Sequence, residues 1–333
     1  MHIQIVLFDG FDLLDAIAPY EVFTAAAMYS NEDITVKLVS AEGERMVTSG
    51  VNHLQLQASD KLDLTCNGII LIPGASGSVH DNVPDSVPVR LRQAAETELG
   101  ILLNEAMEKQ DILLSTVCGG SLILAMSGLL EDRHAVTHHM GMGLLSATNA
   151  IPIHARVVDD GNLVTGGGVT SGLDVALYLV EREFGPRIAH SVEQLFEYER
   201  RGTVWKAEGK TPKEHQEGIQ VEELCHHSSQ TNKTEDFQGK WDTTISTPIG
   251  KLSVLLNLTT RDGQIIGTAK QGENIVTLDN PIIEGNQLKW SMKVYKPMRL
   301  NLKFNVSVNG NEMIGEAKAG MLPASKLIGH RII

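Results

Sequence analysis

Cys118 lies in the stretch ILLSTVCGGSLILAMSGLL, residues 112–130. Six residues rich in aliphatic and β-branched types run into the cysteine, two glycines follow, and a helical apolar pattern begins. The order predicts a buried strand, a tight turn and a helix start, with Cys118 at the turn. A thiol placed there meets backbone N–H groups and the positive end of a helix, which favour the thiolate. The same N–H groups can hold a developing oxyanion. The competing reading is a small, inert core cysteine.

A thiolate nucleophile needs an acid or base and donors for the oxyanion. Asp15 and Glu21 follow the first predicted strand, where open α/β sheets place ligand contacts. Pro73-Gly74-Ala75 follows a second strand and Gly166-Gly167-Gly168 a third. His138 and His139 lie twenty residues past Cys118. Asp12 reads as a helix cap and the glycines as turn formers; what argues for chemistry is that several strand ends converge on one sheet edge.

The elements that would position these residues alternate along positions 1–200. IQIVLF, ITVKLVS, GIILIPG and ILLSTVC read as strands. Residues 14–30, 87–109, 121–130 and 171–184 read as helices, the last stopped by Gly185. HAVTHH and ARVVDDGNLVTGGG add later strands, the second folding as a hairpin at Asp160-Gly161. Continuous apolar strands alternating with helices imply a mostly parallel sheet covered on both faces.

Residues 201–234 read as a linker with a short helix over 212–224, and His226-His227 as solvated linker rather than metal ligands. From 235 to 333 the pattern changes to period two. Eight strands, KWDTTIS, LSVLLNLT, QIIGTAK, ENIVTL, QLKWSMKV, LNLKFNVSV, EMIGEAK and KLIGHRI, are punctuated by turns at 261–263 and 308–311. They predict a small antiparallel barrel or two-sheet clam, filled by its own side chains, with Trp241 and Trp290 in its core or at its mouth.

The chain has 333 residues and a formal net charge of −13, which argues against a broad nucleic-acid surface. Residues 235–333 hold nine acids against twelve bases while the rest holds 32 against 16, in keeping with two folding units. No apolar run approaches the ~18–20 residues of a membrane span. The start MHIQIVLFDG reads as a strand rather than a signal peptide. Three cysteines, Cys66, Cys118 and Cys225, argue against a disulfide framework and for a reduced, cytoplasmic setting. Cys66 reads as packed and Cys225 as exposed near the linker.

FDLLDAIAPYEVF, ILIPGASG, STVCGGSLILAMSGLL, AVTHH and TGGGVTSGLDVALYLVE together resemble the DJ-1/PfpI superfamily, which shares the class I glutamine-amidotransferase-like fold. Within it they are most similar to the isocyanide hydratase branch and to the amidotransferase-like domains of AraC-type regulators. The resemblance implies a flavodoxin-like sandwich, a homodimer, and Cys118 as nucleophile at an elbow. It implies that Asp15 hydrogen-bonds the cysteine, in preference to Glu21, which reads as helix surface. Gly119 and Gly74 or Ala75 would hold the oxyanion, with His138 and Gly167 lining the pocket. No metal or organic cofactor is implied.

Two positions depart from the branch: Gly119 stands where the hydratases show threonine, and His139 where they show tryptophan. The peptidase branch's Cys-His pair and the regulators' helix-turn-helix are both missing. The implied activity is hydration of a small electrophile, an isocyanide to an N-substituted formamide. The alternatives are glyoxalase-like attack on an α-oxoaldehyde, or a non-catalytic redox or ligand sensor.

Overall fold

The computed structural model describes residues 1–78, 83–210, 234–247, 250–261, 264–272, 274–294, 300–320 and 322–332. Residues 1–206 build an eight-stranded sheet. Its spatial order is Trp205–Lys206, Val157–Asp159, Leu163–Gly166, Ile112–Thr116, Gly68–Ile72, His2–Val6, Thr35–Ser40 and Asp60–Lys61. Every neighbouring pair is parallel except Val157–Asp159 with Leu163–Gly166, the hairpin turning at Asp160-Gly161. Ile112–Thr116 and Leu163–Gly166 are buried along their whole length, which explains why both open on aliphatic residues.

The α-helices packed on this sheet are α1 (Leu13–Tyr29), α2 (Val87–Glu96), α3 (Glu98–Met107), α4 (Gly120–Met126), α5 (Met142–Ala147), α6 (Ser171–Phe184) and α7 (Pro186–Phe196), and a further single turn, Thr234–Phe237, precedes the C-terminal part. The single helix expected over 87–109 is two, because Thr97 is extended and its side chain caps Leu99 N at 3.3 Å. The helix expected over 121–130 stops at Met126, before a left-handed Gly128. HAVTHH contributes only His134–Ala135, paired with Ile151–Pro152 outside the main sheet. The sheet continues past residue 200, since Trp205 and Lys206 pair with Val158 and Asp159. The expected helix at 212–224, Cys225 and His226-His227 lie outside the described residues. Cys66, expected to be packed, is half exposed, and its thiol donates to Asp63 Oδ2 at 3.2 Å.

The C-terminal part is one nine-stranded antiparallel sheet, nearly closed into a barrel. Gly239–Thr247 pairs with both the next strand and the last, Ser325–Ile332, so the first and last strands of this part lie side by side within the sheet. The open seam falls between Asn274–Thr277 and Asp279–Glu284. The latter was missed in the sequence because Pro281 and two exposed acids, Asp279 and Glu284, break its alternation. The turn at Gly310-Asn311 is as expected, with Asn309 opposite Glu312; that at 261–263 lies partly outside the described residues. Trp241, Trp290, Phe304, Leu256 and Met313 fill the interior, Trp290 stacking on Phe304 at 4.7 Å. An interior void beside Val254, Ala269 and Met292 measures about 10 Å³, room for one water at most.

Candidate active site

The strand Ile112–Thr116 ends in Val117, whose N–H is held by Ile72 O at 3.0 Å. The chain then turns sharply. Cys118 takes φ +55°, a left-handed conformation that costs an L-residue roughly 1–2 kcal/mol. The surroundings hold it there. Cys118 N–H lies 2.8 Å from Gly167 O and 3.1 Å from Gly166 O, and the Thr137 hydroxyl donates to Cys118 O at 2.7 Å. Gly120 follows with no room for a side chain, since a Cβ there would lie 2.2 Å from Ile72 O. This strand–turn–helix is the expected elbow.

Asp15 stands beside it in the first turn of α1 and is completely buried. Asp12 caps this helix, its Oδ1 accepting from Leu14 N at 3.0 Å and Asp15 N at 3.3 Å. Asp15 Oδ2 accepts the Gly74 N–H at 3.0 Å. The carboxyl and the Cys118 thiol are within hydrogen-bonding reach of each other, while Oδ1 makes no hydrogen bond of ordinary geometry. Glu21 is exposed on α1, as expected.

The protonation of this pair differs from the expectation of a resting thiolate. Burial pushes the Cys118 thiol up, the Asp15 charge pushes it further, and the Gly119 N–H returns only part. Desolvation of a fully buried group is worth up to ~3–5 pKa units, more than one N–H on a two-turn helix can offset. Burial also raises Asp15 well above the usual carboxylate range, reinforced by the charge of Asp12 and opposed by Gly74 N–H and by Cys118. Two acids facing each other at low dielectric do not both ionise near neutrality, so the resting pair holds at least one proton.

The oxyanion assignments also change. Gly74 N–H is committed to Asp15, so Gly74 orients the acid rather than the substrate. Gly167 gives its carbonyl to Cys118, and its own N–H goes to Arg156 O at 2.9 Å. Gly119 N–H faces the sulfur. A Cβ on Gly119 would lie 2.9 Å from Leu91 Cδ1, so the space that a threonine would take is occupied by Leu91 of α2. Ala75 is 7% exposed and bridged to Phe11. His138 is half-buried against Gly168 and next to His139, their ring centroids 4.2 Å apart. Its Nδ1 accepts from Met140 N at 3.3 Å, which assigns the ring proton to Nε2. Burial and His139 lower its pKa, so the ring is neutral at pH 7. Thr137 and Ser76 were not singled out in the sequence, because loop contacts leave no periodic signal; Leu91 reads only as one apolar position of its helix.

Asp15→Asn is expected to move stability and activity in opposite directions. The folded-state pKa of Asp15 is raised, so its contribution to stability is fully present below about pH 3.9 and is lost as pH rises through the folded value. Asparagine keeps the acceptor for Gly74 N–H and removes the buried charge. Thermal unfolding at pH 8 should show a gain of about 1 kcal/mol that vanishes near pH 3.5. Turnover should fall by on the order of 10²–10⁴-fold.

Taken together, a strained cysteine at a strand–helix elbow, backed by an acid from the first βα segment, defines a cysteine-elbow protein on a flavodoxin-like sandwich. The chain belongs to the DJ-1/PfpI family, whose model matches residues 1–182. It is similar to the isonitrile hydratase of Pseudomonas putida, 33% identical over 199 residues, which cover 60% of this chain and 78% of that protein. It is also similar to the HTH-type transcriptional regulator GbdR of Pseudomonas aeruginosa, 27% identical over 60% of this chain and 51% of that protein. A solved ThiJ/PfpI family protein from Pseudomonas syringae superposes with a TM-score of 0.50 at 25% identity, covering 60% of this chain and 76% of that one. Among the described residues no helix is long and apolar enough to cross a membrane, and no three His, Cys, Asp or Glu side chains cluster as metal ligands.

Proposed function

We propose that the α/β domain hydrates a small isocyanide to an N-substituted formamide through a covalent bond to Cys118. The observation that carries this reading is the buried Asp15 carboxyl held by Gly74 N–H within hydrogen-bonding reach of the Cys118 thiol at the elbow. An isocyanide carbon must gain both a nucleophile and a proton. Sulfur attacks that carbon, and Asp15 passes the proton of the thiol to it, giving a thioimidate. Water adds across the C=N bond, so that nitrogen gains a proton and carbon a hydroxyl. The C–S bond then breaks, the hydroxyl proton returns to sulfur by way of Asp15, and the formamide leaves. Atoms balance as substrate plus one water, with no cofactor. Attack and protonation by one pair needs no preformed thiolate.

The likeness to an isonitrile hydratase supports this reading. Exposed Leu14, Val51 and Leu54, near the loop in which Gly50 N–H binds Phe11 O, support the homodimer. Side-by-side assays of cyclohexyl isocyanide and methylglyoxal test the substrate class. Formamide formation with methylglyoxal unchanged is the expected result. Consumption of methylglyoxal alone would replace this reading with the glyoxalase-like one, and consumption of neither, with rapid alkylation of Cys118, with the sensor.

A further inference from the structure

Asp12 does more than a helix cap requires. Serine, threonine or asparagine caps a helix about as well as aspartate. Asp12 instead brings a charge to a site that is only 9% exposed. Its Oδ1 takes the Leu14 and Asp15 N–H groups, and its Oδ2 takes the Ser76 hydroxyl at 2.7 Å. Its own N–H binds Gly74 O at 2.8 Å, while Gly74 N–H binds Asp15 Oδ2 at 3.0 Å. The two acids are therefore clamped to opposite sides of one glycine. Ser76 N–H binds Gly10 O at 3.0 Å, and Arg90 Nη1 binds Ser76 O, which fastens the clamp to the neighbouring loops.

We propose that Asp12 is a positioning residue for the acid–thiol pair: a buried carboxylate, fixed by Ser76 and Gly74 with its Oδ1 3.3 Å from Asp15 N, whose charge favours the protonated over the ionised form of Asp15. The inference rests on Asp15 acting as the proton carrier described above. After burial, the charge of Asp12 is the largest influence raising Asp15, and it acts on Cys118 as well. The other elements around the pair bring little competing charge. The elbow brings Cys118. The 73–78 loop carries no charged side chain. From α2, Arg90 reaches the Ser76 carbonyl. On α6, Asp174 is taken up by Arg156, Tyr198 and Arg201 N–H. On α7, Arg187 and His190 are exposed, and Glu193 binds Arg200 N. The wall contributes His138, which is neutral.

The test is a carboxyl titration of the full chain labelled with ¹³C-aspartate, with the Asp15 signal assigned by its loss in Asp15→Asn. Asp12→Asn keeps the cap acceptor and removes the charge. The Asp15 midpoint should fall by about one pH unit, a tenfold loss of proton affinity. The alkaline limb of isocyanide turnover should move down with it. Ser76→Ala loosens the same clamp without removing charge and should not lower the midpoint. Asp12→Ser, which caps without charge, serves as a second variant and should repeat the downward shift if Asp12→Asn fails to fold. An unchanged midpoint in whichever of the two charge-free variants folds, or the same fall in Ser76→Ala, would overturn the proposal. Because the titration reads Asp15 directly, a wild-type chain inactive on isocyanides would defeat the functional reading and leave the charge effect measurable.

Discussion

Cys118→Ala is expected to reduce isocyanide turnover to background, a loss on the order of 10⁶-fold, as for removal of other covalent nucleophiles. The fold should survive. The φ of +55° is imposed by Gly166 O, Gly167 O and the Thr137 hydroxyl, all of which bind the backbone of residue 118. Alanine bears the same strain as cysteine. Only one buried sulfur is lost, worth about 1 kcal/mol of packing, and part of that is offset because Asp15 no longer faces a second acid. Circular dichroism and the melting temperature should therefore stay near wild type while product formation, followed by chromatography, disappears. A variant that retained more than a few per cent of the rate would show that the sulfur is not the group that bonds carbon.

Gly74→Ala should be nearly as damaging, although residue 74 supplies no reactive atom. A Cβ at this position would lie 2.6 Å from Gly119 N, 2.8 Å from Asp15 Oδ2 and 3.1 Å from Cys118 Cβ. Real Cβ atoms do not tolerate the first two distances. The neighbours are backbone and a buried carboxyl, so relief must come from moving the elbow or Asp15. Displacements near 1 Å at reacting groups cost about 10²-fold, and here both partners of the proton transfer are pushed apart. We expect kcat to fall by at least about 10²-fold, a destabilisation of 1–3 kcal/mol from overpacking, and slower alkylation of Cys118. Unchanged kcat with a Tm near wild type would mean that the close approach of the two loops is not what sets the geometry.

The sheet and the elbow were legible in the sequence for one physical reason. A parallel strand buried on both faces must be largely apolar, and GIILI and the ILL that opens ILLST are. The cap at Asp12 was legible because capping is local. The break at Thr97 was not, since apolar and charged residues continue in helical rhythm across it. Asp15 was named together with Glu21 from its place after the first strand, and only family likeness preferred it; nothing within LLDAIAP distinguishes a buried acid from a surface one. The protonation of the pair was also out of reach. Backbone N–H groups at a helix start suggested a stabilised thiolate, whereas the depth of burial, which decides the sign, is a tertiary property. The barrel's alternation was plain except at Asp279–Glu284, where a proline and exposed acids mask an edge strand beside the seam.

Proton loading reshapes what the site is suited to do. A preformed thiolate would favour indiscriminate alkylation. A thiol that ionises only as its proton is taken up by substrate reacts with electrophiles able to accept that proton, and an isocyanide carbon is one. The central claim is thus a carbon–sulfur bond at Cys118 made with proton delivery from Asp15. Rapid-quench intact-protein mass spectrometry during turnover of an aryl isocyanide tests it most directly. The account predicts a transient mass increase of one substrate, mapped by peptide digestion to Cys118, absent in Cys118→Ala and formed far more slowly in Asp15→Asn. Steady product release with Cys118 never modified, or an adduct confined to Cys66 while turnover proceeds, would contradict it.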